Sequence, residues 1–214
     1  MSTRLASIVA ALALAMSARA QIPTDTVIPV TADNFNRAES DTYFAEAVKL
    51  AGGIGKFDHR REIMAIDKQT IIRANRDTLY SAAVFDLEAS PATITLPNPG
   101  KRFMSMIVID EDQYALATEY APGNFIYTKK NVGTRYVMVG IRTFVDPTNP
   151  KDIEQVHALQ DAIKVRQTNP GRFDIPKWDL ASQKKVRDAL IVLASTIPDS
   201  ACSGRAIRSI RCGI

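Results

Sequence analysis

Five short runs rich in Val, Ile, Phe, Tyr and Thr follow one another between residues 69 and 145, and they constrain the fold more than any other feature. The runs read TLYSAAVFDL, ATITLP, RFMSMIVID, NFIYTK and RYVMVGIRTFV. The turn clusters SP, PNPG, APG and KKNVG separate them. Short strands at this spacing are typical of hairpins in an antiparallel sheet or sandwich. Both faces of RFMSMIVID are mostly apolar, which predicts a central strand covered on both sides.

Three segments outside these runs have helical periodicity. The first, TADNFNRAESDTYFAEAVKLAGG, has Thr31 as its predicted cap and ends at the pair of glycines. The second, DPTNPKDIEQVHALQDAIKV, has Asn149 before a proline at the first helical position. The third, DLASQKKVRDALIVLASTI, is expected to direct Val186, Ala189, Leu190 and Leu193 inward. The chain is therefore predicted to be mainly β with accessory α-helices.

The first twenty residues, MSTRLASIVAALALAMSARA, have the pattern of a secretory signal. A basic residue precedes an apolar run of about a dozen residues, and an Ala-x-Ala site follows it. This run is short compared with the roughly 20 residues that span a bilayer. We therefore expect cleavage after Ala20, no membrane span in the mature chain, and a periplasmic or secreted protein.

The formal net charge of +4 is concentrated at the two ends of the chain. Arg4 and Arg19 lie in the signal, and Arg205, Arg208 and Arg211 lie in the last fourteen residues, with no acid in either segment. The body between residues 21 and 200 therefore carries only −1. A nucleic-acid partner is not expected, because that function requires clustered Lys and Arg on a folded face.

The stretch GKFDHRREIMAIDKQTIIRANRDTLYS, residues 55–81, carries the densest group of polar side chains. If alternate residues share one face of a strand, they form a polar ladder able to hold a small anionic ligand or to keep a carboxylate ionised for base chemistry. The alternative is a structural role, in which paired polar groups satisfy the backbone and fasten two elements together. The candidate catalytic residues are Asp77, Tyr80 and His59, and the candidate ligand-binding residues are Arg73, Asn75, Arg76 and Thr78.

Other common sites have no support in the sequence. The spacings of zinc, EF-hand, Walker, Rossmann and serine-hydrolase motifs do not occur. Asp110, Glu111 and Asp112 follow a strand end and have the oxygen atoms to contact Ca²⁺, but a solvated acidic turn is the favoured interpretation. We therefore expect neither a metal site nor a cofactor.

The segments FDHRREIMAIDKQTIIRANRDTLYSAAVFDL, KRFMSMIVIDEDQY and GTRYVMVGIRTFVDPTNPKDIEQVHALQDAI together resemble the family called domain of unknown function 1254. The resemblance runs from about residue 28 to 200 and implies an immunoglobulin-like antiparallel β-sandwich. Members of that family often have His where this chain has Gln113, and Gln cannot titrate. Longer members continue into a second β-rich domain after the VRDALIVLASTIPDS helix.

The last residues, 201–214, are interpreted as an out-of-frame or disordered tail. With suitable synonymous codons, ACSGRAIRSIRCGI read in the next frame gives MFGPRDQVDPVRHL, which resembles the continuation of longer members. Cys202 and Cys212 lie in this tail and could pair. The resulting expectation is an exported small-molecule-binding or envelope module without its C-terminal domain. A hydrolase-like periplasmic enzyme and a non-functional truncated product are the alternatives.

Overall fold

The computed structural model describes residues 26–65, 67 and 75–196. Within them the chain forms ten strands and four helices, so the predicted class, mainly β with accessory helices, is confirmed. In chain order these are β1 (Val27–Ile28), α1 (Phe35–Leu50), β2 (Asp58–His59), β3 (Thr78–Asp86), β4 (Ala92–Leu96), β5 (Met104–Asp110), β6 (Ala115–Tyr120), β7 (Gly123–Tyr127), α2 (Lys129–Val132), β8 (Tyr136–Phe144), α3 (Pro150–Asp161), β9 (Lys164–Gln167), β10 (Lys177–Trp178) and α4 (Leu180–Ala194).

The strands form two antiparallel sheets and one short parallel pair. A five-stranded sheet has the order β2-β3-β8-β5-β6, and a three-stranded sheet has the order β7-β4-β9. The parallel pair joins β1 to β10. All five apolar runs are strands, but none of them pairs with the next run along the chain. For example, β3 pairs with β8, whereas β4 lies in the other sheet.

One apolar cluster joins the two antiparallel sheets. It contains Phe85 from β3, Met106 from β5 and Val139 from β8, together with Ile94 and Leu96 from β4. These side chains are at most 2 % exposed. The inner face of the five-stranded sheet therefore provides most of the core, and its outer face is available for other contacts.

The outer face of the five-stranded sheet is only partly covered. Helix α1 packs on one end of it, where the buried Phe44 contacts a cluster containing Val84, Tyr136 and Met138. Further along, Phe103 and Ile107 remain exposed. Strand β5 is central in the sheet, as expected, but the prediction that both of its faces are covered is wrong.

The helices differ in how closely the sequence predicted them. Helix α3 begins as predicted, since the Asn149 side chain accepts a hydrogen bond from the Lys151 amide. Helix α1 begins at Phe35 rather than next to Thr31, and the chain after it bends through Gly52 and Gly53 at positive φ. Helix α4 buries Gln183, while Leu190 and Leu193 are exposed, so its predicted inward stripe is wrong.

Several predictions concern residues outside the described ranges: the signal, the tail with its cysteines, and Arg73. They stay predictions. No helix among the described residues combines the length and the apolar character needed to cross a bilayer.

Candidate functional site

Strand β3 begins at Thr78, so Asn75 and Asp77, two members of the predicted polar ladder, lie outside it, and Arg73 lies outside the described residues. Asn75 and Asp77 lie in an exposed turn in which the Asn75 side-chain Oδ1 accepts a hydrogen bond from the Asp77 backbone amide. Arg76 is also exposed and donates to the Met64 carbonyl oxygen at 3.1 Å. Thr78 is buried at the strand start. These four residues therefore do not line a common pocket, and their predicted ligand-binding and catalytic roles stay predictions.

His59 lies on the inner face of the five-stranded sheet. Its Nδ1 is 2.7 Å from the Ser81 hydroxyl oxygen, and its ring stacks on Phe57. Ser81 is 1 % exposed and also accepts from the buried Gln160 amide of α3. Burial and then the charge of Arg61 lower the pKa of His59. The arrangement fastens β2, β3 and α3 together and leaves the Ser81 hydroxyl closed to solvent.

Tyr80 points to the opposite face of the sheet, because neighbouring residues of a strand alternate. There it lines a pocket of about 440 Å³ between α1 and the sheet. Known small-molecule sites have volumes of about 300–1,000 Å³. The lining residues are Ser40, Tyr43, Phe44, Glu46, Ala47, Leu50, Asp58, Arg60, Tyr80, Ala82, Ile109, Gln113 and Met138.

Ser40 has the most informative position in this pocket. Its side chain is 1 % exposed, and its hydroxyl oxygen has no hydrogen-bond partner within the described part of the chain. A buried hydroxyl without a partner costs about 1–3 kcal/mol. Ser40 also lines the pocket, so a rotation of its side chain about the Cα–Cβ bond would bring the hydroxyl within reach of a bound molecule.

Asp58 and Arg60 form the polar wall next to Tyr80. The Arg60 Nε lies 3.3 Å from an Asp58 carboxylate oxygen, and the Arg60 amide donates to the Tyr80 carbonyl oxygen at 2.8 Å. The backbone bond extends the pairing of β2 with β3, so the wall is held by the sheet. Each charge neutralises the other, and the pocket keeps an apolar floor of Ala82 and Met138.

Gln113 forms the opposite edge of the pocket in an unusual backbone conformation. Its φ is +65°, a left-handed backbone conformation that residues other than glycine rarely adopt. The turn around it is held by Asp110, whose carboxylate accepts from the amides of Asp112 and Tyr114. Backbone strain of this kind is often found at functional sites.

Arg37 joins this turn to α1. Its guanidinium donates to Glu111 at 3.1 Å and to Asp112 at 2.6 Å. The other carboxylate oxygen of Glu111 accepts from the Tyr136 amide at 2.8 Å. The acidic turn is therefore paired with protein groups, and the edge of the pocket is fixed relative to the helix that forms its wall.

A buried carboxyl group lies directly beside Ser40. Asp41 is 1 % exposed and accepts a hydrogen bond from the Trp178 indole at 2.8 Å, while its second oxygen has no partner among the described residues. Burial raises the pKa of Asp41 to about 6, and the indole hydrogen bond only partly opposes this. This segment of α1 thus places polar groups in the interior close to the pocket, and such burial lowers the free energy of unfolding.

Sequence reasoning found Tyr80 but missed the rest of the pocket. Asp58 and Arg60 were noticed only as part of the dense polar stretch, and Gln113 only as a departure from a family pattern. Ser40 carries no sequence signal, because its sequence context does not differ from that of a serine on the exposed face of an ordinary helix. No group of three or more His, Cys, Asp and Glu side chains arranged to hold a metal ion occurs in the described ranges.

Comparisons with known proteins identify a family and a distant structural relative. The structure of the VPA0106 protein from Vibrio parahaemolyticus is similar, with 18% identity and a TM-score of 0.49. That match covers 63% of this chain and 36% of the other. No curated protein matches the chain. The family model described as "Protein of unknown function (DUF1254)" matches residues 54–167, just over half of the 214 residues. The chain therefore belongs to the DUF1254 family of proteins of unknown function.

Proposed function

We propose that this chain is a small-molecule-binding module and that its site is the pocket between α1 and the five-stranded sheet. The observation that carries the proposal is the buried hydroxyl of Ser40, which lines the pocket and lacks a partner within the described residues. Buried polar groups are normally hydrogen-bonded, so an exception inside a pocket indicates where a ligand donates or accepts.

The remaining lining residues define the kind of molecule that fits. Ala47, Ala82, Ile109 and Met138 offer apolar surface, and Tyr80 offers a ring. Such a combination suits a compact aromatic or alicyclic body with a few polar atoms. The paired Asp58 and Arg60 supply polar contacts without adding net charge.

The hydrolase-like alternative has weaker support. Its proposed base, Asp77, lies in an exposed turn, and His59 lies on the inner face of the sheet opposite to Tyr80. Binding requires none of these residues to titrate. An enzyme remains the second candidate, and it predicts turnover that depends on Asp77.

The test measures binding of 2-naphthamide, a neutral aromatic amide, to the whole chain by isothermal calorimetry. We expect saturable one-to-one binding that Ser40→Ala weakens about fivefold to tenfold, since one hydrogen bond contributes about 1 kcal/mol. The same substitution should leave the free energy of unfolding unchanged or higher, because it removes an unpartnered buried hydroxyl.

Thr143→Val is the matched control. Thr143 is 1 % exposed and its hydroxyl also lacks a partner among the described residues, but it lies outside the pocket lining. We expect this variant to bind 2-naphthamide as the unmodified chain does. Absence of saturable binding, or equal binding by Ser40→Ala, would contradict the proposal. Mass spectrometry of naphthyl esters after incubation tests the hydrolase alternative, which predicts acid products that Asp77→Ala abolishes.

We further propose that the two antiparallel sheets form an immunoglobulin-like sandwich, supported by their shared apolar core.

Export is proposed from the signal pattern of residues 1–20, and secretion assays with and without those residues test it.

A further inference from the structure

Arg142 is an exposed arginine in the middle of an otherwise apolar strand. It lies in β8 directly between Tyr80 of β3 and Ser105 of β5. Since directly paired residues share a face, Arg142 lies on the outer face of the sheet, as does the pocket. A single charge within the run YVMVGIRTFV is a signal that the sequence already contained.

The surroundings of Arg142 are aromatic. Phe144 follows on the same face of β8. Phe103 directly precedes β5, Tyr120 ends β6, and their rings lie edge to face at 6.1 Å. All three are more than 40 % exposed. These side chains and Arg142 form what we call the aromatic shelf.

Arg142 also differs in its partners from the arginines that flank strands β5 and β8. Arg102 pairs with Asp152, and Arg135 pairs with Asp86. For the Arg142 side chain, no carboxylate within salt-bridge distance and no hydrogen bond occurs among the described residues. Its charge is therefore available to an incoming anion, and aromatic rings beside it would cover the apolar part of the same molecule.

The aromatic shelf is continuous with the pocket. Tyr80 lines the pocket and pairs with Arg142, and the next outward pair is Ala82 with Gly140. Neither of those two residues has a side chain long enough to form a barrier. A molecule whose body lies over Ala82 can therefore extend its end toward Arg142.

We infer that the ligand of this pocket is an amphipathic carboxylate whose anionic group pairs with Arg142 and whose apolar body occupies the pocket. This inference rests on the proposed binding function. It adds to that function the charge of the ligand and the residue that its polar end contacts. It also replaces Arg73 and Arg76 as the residues expected to hold an anion. Arg142 thus determines specificity, while the pocket provides affinity for the body.

The test compares 2-naphthoate with 2-naphthamide, which have the same ring system and differ in charge. We expect the unmodified chain to bind the carboxylate about fivefold more tightly in low salt, the scale of an exposed ion pair. In Arg142→Gln the ratio of the two affinities should fall to about one, while 2-naphthamide binds as before. Added salt should reduce the preference of the unmodified chain, because ions screen exposed charges.

Arg166→Gln is the matched control, since Arg166 is likewise an exposed arginine without a partner among the described residues but lies on β9 of the other sheet. It should keep the full preference for the carboxylate. An unchanged ratio in Arg142→Gln, or an equal loss in Arg166→Gln, would overturn the inference and leave the binding function intact. Failure of both probes to bind the unmodified chain would overturn the binding function as well.

Discussion

At the scale of single residues, Ser40 and Asp41 of helix α1 both place in the interior polar atoms that have no partner among the described residues, which lowers the free energy of unfolding. Ser40 places a hydroxyl without a partner in the described chain at the pocket, and Asp41 places a carboxyl group in the interior. A helix that only packed against the sheet would be more stable with apolar residues here. Of the two, Ser40 lines the pocket, whereas Asp41 accepts a hydrogen bond from the Trp178 indole and so joins α1 to β10.

The raised pKa of Asp41 predicts how stability depends on pH. The folded state holds the proton of this group up to about pH 6, whereas the unfolded chain loses it near pH 4. Folding is therefore favoured most when the group is protonated, and this contribution is lost as the pH rises through 6. Relative to Asp41→Asn, the free energy of unfolding should fall by about 2–3 kcal/mol between pH 4 and pH 7.

Chemical denaturation across this pH range measures the difference. Glu46→Gln, which removes an exposed acid from the same helix, controls for the change in net charge. The charged groups that act on Asp41 are Arg37 and Glu111, and neither is altered in the comparison. A difference between the native chain and Asp41→Asn that stays constant with pH would show that Asp41 is not protonated in the folded state.

At the scale of elements, the turn from Asp110 to Tyr114 is fixed on two sides. Arg37 attaches it to α1, and Glu111 attaches it to the start of β8. These contacts hold Gln113 at positive φ even though a residue with a β-carbon disfavours that conformation. Gln113 thus combines a strained backbone with a position at the edge of the pocket.

Gln113→Gly should therefore raise the free energy of unfolding by about 0.5–1 kcal/mol, because relief of the left-handed strain exceeds the entropy cost of glycine. Gln113→Ala keeps a β-carbon at the same φ and should not stabilise the chain. Thermal unfolding of the two variants beside the unmodified chain measures both effects. If Gln113→Gly destabilises the chain, or if Gln113→Ala stabilises it as much as Gln113→Gly does, backbone strain does not explain the effect of the glycine variant.

Strands were easier to predict than their partners. The content of Val, Ile, Phe, Tyr and Thr in TLYSAAVFDL and RYVMVGIRTFV, and the turn clusters around them, identified β3 and β8, because such residues favour the pleated surface of a strand. Their pairing with each other across more than fifty residues leaves no such local signal. The stripe predicted for α4 failed for a related reason, since its apolar residues have the right spacing but the body of the protein contacts only the first half of the helix.

At the scale of the whole molecule, the five-stranded sheet separates two kinds of polar chemistry. Residues that follow one another in sequence, such as Tyr80 and Ser81, lie on opposite faces of it. Ser81 and His59 belong to the packing interface with α3, and Tyr80 belongs to the pocket. The sheet therefore separates polar residues that the sequence had indicated as one site. The pocket itself is completed by α1 and by the turn at Gln113, which lie outside that segment of the sequence.

Mapping of a bound probe onto the chain tests the central claim most directly. In a two-dimensional amide spectrum of the labelled full chain, titration with 2-naphthoate should shift the signals of Ser40, Ala82, Gln113 and Arg142 most strongly, with one common dissociation constant. The exposed apolar stripe of α4, Leu190–Leu193, is the competing surface for an apolar probe. Shifts concentrated there, or spread without saturation over the whole chain, would contradict a binding site between α1 and the sheet.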